Sequence, residues 1–200
     1  MGDTKERILL TSLQLFAQRG YAAVSVSDIA GALGITKGAL YRHFESKQAI
    51  FDAILVRMEQ RDGEQARDHA LPEGTADTEK AAYEAATMGH IVSFSRAMFR
   101  YWTEDPFAAP FRRMLTLEQY TTPEMGRLYQ QYLGAGPMGY VADLFAAQGL
   151  TDPARRAAAF YGPMFLLYSV YDGAEDKAPV TALLDECLDH AEKEILGGTL

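Results

Sequence analysis

The chain has one cysteine, Cys187, among its 200 residues. A single thiol excludes an internal disulfide and a cysteine metal cluster. Histidine is nearly as scarce: His43, His69, His90 and His190 are scattered, and none stands at the spacing of a metal-binding helix motif. No apolar run approaches the about 18–20 residues that cross a bilayer. The opening "MGDTKERILL" lacks the apolar stretch of a signal peptide, and Glu6 stands where an N-myristoylation motif wants Ser or Thr. A cytoplasmic location and no membrane partner are therefore expected. Strand-like alternation is missing as well. "GAGPMG" at 134–139 is glycine-rich, but with no strand before it, it is not a phosphate loop. These absences leave no candidate catalytic residue, metal ligand or cofactor, and the chain is expected not to be an enzyme.

Positive charge is short overall, with a net of −8, but the shortage is uneven. Residues 1–57 hold 7 Lys and Arg against 5 Asp and Glu, whereas residues 58–200 hold 12 against 22. A mildly basic first quarter followed by an acidic remainder suggests two parts with different partners.

What fills the chain is helical periodicity. Leu9, Leu13, Phe16 and Ala17 make an apolar stripe that Gly20 ends. Ser27 precedes a short second helix, with Asp28 in its first turn and Gly34 at its end. Thr36 caps a third helix, and Ser46 opens a fourth that continues past Arg57. Pro72 and Gly74 break the pattern. Longer helices are expected over 78–103 and 123–149, the latter split at "GAGPMG", and another opens at Asp152-Pro153 and bends at Gly162-Pro163. A last helix over about 179–196 stops at Gly197-Gly198. The fold class read from this is all-α.

Two short helices about a glycine turn make a helix-turn-helix. In "GITKGALYRHF", residues 34–44, a helical wheel puts Leu40 and Phe44 on the core side. Lys37, Gly38, Tyr41, Arg42 and His43 are left outside. Gly38 has no side chain to hold the helix away from a groove, while Lys37, Lys47 and the free N–H groups of the helix start suit phosphate oxygens. Residue by residue, a plain polar surface accounts for each of these; the combination points to DNA.

The segment "SVSDIAGALGITKGALYRHFESKQAIF", with "ILLTSLQLFAQRGY" before it, resembles the DNA-binding domain of the TetR (tetracycline repressor) family of bacterial regulators over about residues 5–55. The resemblance implies an N-terminal three-helix domain with a helix-turn-helix at 1–50. It implies a helical bundle for ligand binding and dimerisation at 51–200. By the same resemblance Thr36, Lys37, Gly38, Tyr41, His43 and Lys47 are DNA-contacting positions, as are Ser25 and Ser27, with Leu40 and Phe44 buried. Arg42 departs from the aromatic residue or His common there, and an arginine reads guanine as well as phosphate. The function implied is a sequence-specific DNA-binding transcriptional regulator. It would be a homodimeric repressor released from double-stranded operator DNA by a small-molecule inducer. The alternative is a helix-turn-helix regulator without an inducer pocket, controlled by a protein partner or another signal.

Residues 91–171 hold 16 of the 22 aromatic residues, nearly twice an even share. Such side chains build a core, and they also line ligand pockets between helices. The stripes Phe94, Met98, Trp102 and Tyr161, Phe165, Tyr168 are the candidate pocket walls. Glu118 and Asp172 read either as solvated charges or as groups that greet a cation. Val180, Leu184, Cys187, Ala191 and Ile195, with Ala157, Tyr161, Met164, Tyr168 and Tyr171, are the expected dimer surface.

Overall fold

A computed structural model describes residues 2–69, 71–72 and 74–196, with side chains described from residue 4 to 195 of these. Within them the periodic stripes become eleven helices and no strand: α1 Gly2–Arg19, α2 Val26–Leu33, α3 Lys37–Tyr41, α4 Lys47–Asp68, α5 Lys80–Ala85, α6 Met88–Glu104, α7 Ala108–Glu118, α8 Pro123–Tyr132, α9 Ala135–Ala147, α10 Pro153–Gly173 and α11 Ala178–Leu196. The expected stop at Gly197-Gly198 lies outside the described residues.

The breaks follow from local chemistry, with three departures. The helix expected over 78–103 is two, because the chain is extended at Ala86, between α5 and α6. "GAGPMG" does split α8 from α9. Gly162-Pro163, by contrast, does not interrupt α10, which carries Pro163 in its interior. Phe160, Tyr161, Met164 and Leu167 are all buried around that proline and anchor the helix on both sides of it. The third departure is the cap of α2, which is Ser25 rather than Ser27.

The chain divides into two compact units. The first comprises residues 1–62 and 104–129. Here α1 packs on α2 and α7, and α2 on α3. Ile8, Leu13, Phe16, Ile29, Leu40, Ile50, Phe51 and Phe111 are its deeply buried side chains. Arg61 of α4 holds Asp105 at 2.5 Å, and Asp105 in turn accepts the N–H groups of Phe107 and Ala108 at the start of α7.

The second unit comprises residues 63–103 and 130–200. Within it α10 packs on α9 and α11, and α5 on α9. Phe99 stacks on Tyr168, with ring centres 5.3 Å apart and planes 7° apart. Arg96 pairs with Asp185 at 2.9 Å and also with Asp189. The Tyr83 and Tyr140 hydroxyls donate to the Gly74 and Pro72 carbonyls and pin the chain between α4 and α5. The side chains expected to face a second subunit are mostly turned inward: Val180, Leu184, Ile195, Ala157, Tyr161, Met164, Tyr168 and Tyr171 are buried within the chain itself. Periodicity showed that α10 and α11 each carry an apolar stripe, and that stripe is covered by the unit's own helices. The large apolar side chains left exposed on these helices are Phe165, Leu166, Val170 and Leu183.

Candidate nucleic-acid interface

The helix-turn-helix is built by local hydrogen bonds. Ser25 caps α2: its hydroxyl accepts the Asp28 N–H, and its own N–H donates to the Asp28 carboxylate at 2.8 Å. At the other end Gly34 adopts φ 67°, a left-handed conformation in which a β-carbon is strained. The N–H groups of Gly34 and Ile35 close the helix onto the carbonyls of Gly31 and Ala30. Two residues on, the Thr36 hydroxyl accepts the Ala39 N–H and starts α3. Leu40 is fully buried and fixes which side of α3 faces inward.

Asp28 is pulled down to a pKa of about 2 from an ordinary 3.8, first by the Ser25 side chain and then by the Ser25 amide, with Arg19 adding to the pull. A carboxylate with a depressed folded-state pKa stabilises the fold above the unfolded value and loses that contribution as pH falls through the folded one. The difference in thermal midpoint between the parent and Asp28→Asn should therefore be constant above about pH 4 and close as pH falls toward about 2. A gap that stays constant down to pH 2 would remove the carboxylate from the cap.

This frame leaves Thr36, Lys37, Gly38, Tyr41 and Arg42 together on the exposed side of α3, with His43 half-buried just beyond it. Ser25 and Ser27 are exposed at the start of α2. Lys47 is placed differently. Its ammonium donates to the carbonyls of Tyr21 and Val24 at 2.8 and 2.9 Å and lies 4.2 Å from the centre of the Tyr21 ring. Desolvation lowers its pKa, while the nearby Glu118 carboxylate works the other way. Two of its three protons thus serve the turn between α1 and α2.

Tyr21 and Glu118 were missed as parts of this frame. Tyr21 packs edge-on against Phe16 and tilted against Phe51, and its hydroxyl meets Gln48. Burial raises its pKa, with Asp52 adding to the effect. Glu118 is neither a solvated charge nor a group open to a cation: it is 6% exposed and accepts the Tyr21 N–H at 2.7 Å. A tyrosine straight after a helix-ending glycine was the visible signal for the first. A partner 97 positions away left none for the second.

The six candidate ligand residues all lie in the second unit. Phe94 is half-buried, 5.6 Å from the His69 ring and 6.4 Å from Tyr140. Met98 is half-buried, and Trp102 is buried beside Tyr101 and Tyr132. Tyr161 and Tyr168 are buried, whereas Phe165, one turn from Tyr161, is 43% exposed.

Comparison with known proteins bears on the first of these two regions directly. Residues 8–54 match the family described as "Bacterial regulatory proteins, tetR family". That stretch, about a quarter of the chain, is similar to the DNA-binding domain of that family. The HTH-type regulator YerO of Bacillus subtilis is 52% identical over 50 residues, 25% of this chain and 17% of that protein. The repressor BepR of Brucella suis is 44% identical over 55 residues, 28% and 26% of the two chains. The match to such relatives thus spans well under a third of their length. Both of these relatives are named as HTH-type transcriptional regulators, the second as a repressor. The all-α fold is that of whole TetR-family structures. A regulator from Aquifex aeolicus aligns over 94% of this chain and 98% of its own with a TM-score of 0.67 and 18% identity. PfmR of Thermus thermophilus aligns over 94% and 97% with 0.66 and 22%. Among the described residues no helix is long and apolar enough to cross a membrane.

Proposed function

We propose that this chain is a cytoplasmic, sequence-specific DNA-binding transcriptional regulator, working as a homodimeric repressor that a small-molecule ligand releases from its operator. The DNA-reading surface is Thr36, Lys37, Gly38, Tyr41, Arg42 and His43, flanked by Ser25 and Ser27, with Lys47 behind them holding the turn.

The observation that carries this reading is Gly38. A β-carbon added there would meet nothing nearer than the Thr36 hydroxyl oxygen at 3.9 Å. The fold itself has room for a side chain, and glycine costs a helix roughly 0.5–1 kcal/mol relative to alanine. The reason for glycine at this exposed position therefore lies outside the chain, in a surface that approaches α3 closely. Gly38→Ala should raise the unfolding free energy, by at most about 0.5–1 kcal/mol, and weaken binding to a duplex that the parent selects from random-sequence DNA. The two effects have opposite signs, so urea unfolding and a gel-shift titration on the same preparation separate them. A variant that binds the selected duplex as tightly as the parent would move the DNA contact off α3.

Support for a homodimer comes from Leu166, Val170 and Leu183, large apolar side chains exposed on α10 and α11. Support for a ligand comes from the ring clusters around Phe94, Trp102 and Tyr168, the kind of lining that bundle pockets use.

A further inference from the structure

We infer that Glu118, at the end of α7, is a positioning residue for DNA recognition: it sets the turn from which α2 and α3 are presented. The inference rests on the DNA-binding reading above and extends it to a residue distant in sequence from the helix-turn-helix.

Three observations converge on the turn. The first is the Glu118 carboxylate, buried in the first unit, with each oxygen engaged. Oε1 accepts the Tyr21 N–H at 2.7 Å, and Oε2 accepts the Thr121 hydroxyl at 2.8 Å. The second is Gly20, which has φ +80° and leaves space for that carboxylate: a β-carbon there would stand 2.8 Å from Oε1. The third is Lys47, which takes the Tyr21 and Val24 carbonyls from the other side. The peptide groups of residues 21–24 are therefore held between an anion from α7 and a cation from α4. The next residue, Ser25, caps α2.

A second ionic contact joins Arg61, within α4, to Asp105, which precedes α7. Lys47 and Arg61 stand 14 residues apart on α4, about 20 Å at a helix's 1.5 Å rise per residue. Ionic groups thus stand at two separated places along α4, Lys47 near Glu118 and Arg61 beside Asp105. A buried carboxylate costs free energy unless it is paired, and a core needs no charge here. What a charge supplies is a short bond to one backbone N–H and a field that holds Lys47 in place.

The test uses full-length protein, the duplex that the parent selects from random-sequence DNA, and a scrambled duplex of equal length. A merely structural role lowers the folded fraction and weakens both complexes together. A positioning role lowers the ratio of selected to scrambled affinity at a temperature where circular dichroism shows the variant fully folded. Glu118→Ala should lower that ratio about tenfold, and Glu118→Gln, which keeps a neutral acceptor for Tyr21, about threefold. If Glu118→Ala does not fold, Glu118→Gln carries the measurement alone. A folded variant whose ratio equals the parent's overturns the inference and leaves the DNA-binding reading standing. A parent that selects no sequence removes that reading, and the inference with it.

Discussion

Phe16→Ala should lower the unfolding free energy by about 3–5 kcal/mol, the range for truncating a large buried aromatic. Phe16 is fully buried in the last turn of α1. Its carbonyl accepts the Gly20 N–H at 2.9 Å, so the residue shapes the helix end as well as the core. Its ring meets Tyr21 edge-on at 5.1 Å, and Tyr21 meets Phe51 at 5.2 Å. Removing the first ring leaves a cavity that the others can fill only by moving Tyr21, whose backbone both Glu118 and Lys47 grip. Relaxation is costly there, which puts the loss toward the upper part of the range. Urea unfolding should show a lower midpoint with little change of slope. A loss under about 1 kcal/mol would mean that the site collapses freely and that the three rings do not act as one cluster.

Leu166→Glu should turn the dimer into a monomer at concentrations where the parent is fully paired. Leu166 is 63% exposed on α10, with Val170 one turn on at 44% and Leu183 of α11 at 48%. In the proposed dimer these side chains are covered by their copies, and a two-fold axis places any substitution in the interface twice. Desolvating a carboxylate costs several kcal/mol, and every 1.4 kcal/mol is tenfold in affinity, so a rise of roughly 100-fold or more in the dissociation constant is expected. Sedimentation equilibrium reads it. Far-UV circular dichroism should stay the same, because the side chain is exposed within one subunit. Tyr120→Glu, at a position 90% exposed in the first unit, is the control and should leave the dimer intact. Equal dissociation constants for Leu166→Glu and the parent would place the subunit contact elsewhere.

The parts of the fold visible in the sequence are those made by neighbours. Gly34, Thr36 and Leu40 each do what residue type and spacing indicate, because a left-handed cap, a hydroxyl cap and a buried leucine answer to residues three or four positions away. The cap of α2 was also visible. "SVSD" offers two serines, and only Ser25 has an acid three residues on to complete the reciprocal pair. The dimer surface was harder, since an apolar stripe declares that something covers it without declaring what. Val180 and Leu184 are covered from within, and the exposed apolar side chains that the proposed dimer would use lie on the weaker stripe that contains Leu166. Glu118 lies beyond what local pattern carries. In "LTLEQY" it reads as a surface charge, and its meaning comes from Tyr21, which only the folded chain brings near. The joining of residues 104–129 to the first unit is long-range in the same way.

Lys47 has a further consequence, for how binding would respond to ionic strength. Each cation that neutralises a phosphate releases condensed counterions and adds about 0.9 to the steepness of the log–log salt plot on duplex DNA. The Lys47 ammonium gives two protons to the neutral Tyr21 and Val24 carbonyls, which fixes its place but leaves its charge and one proton for a phosphate. In the proposed complex the exposed Lys37 and Arg42 would likewise offer their charge to phosphates from α3. A fixed cation beside exposed ones would then add to ion release without the cost of ordering its own side chain. In the proposed complex the steepness of the salt plot would therefore count Lys47 together with Lys37 and Arg42.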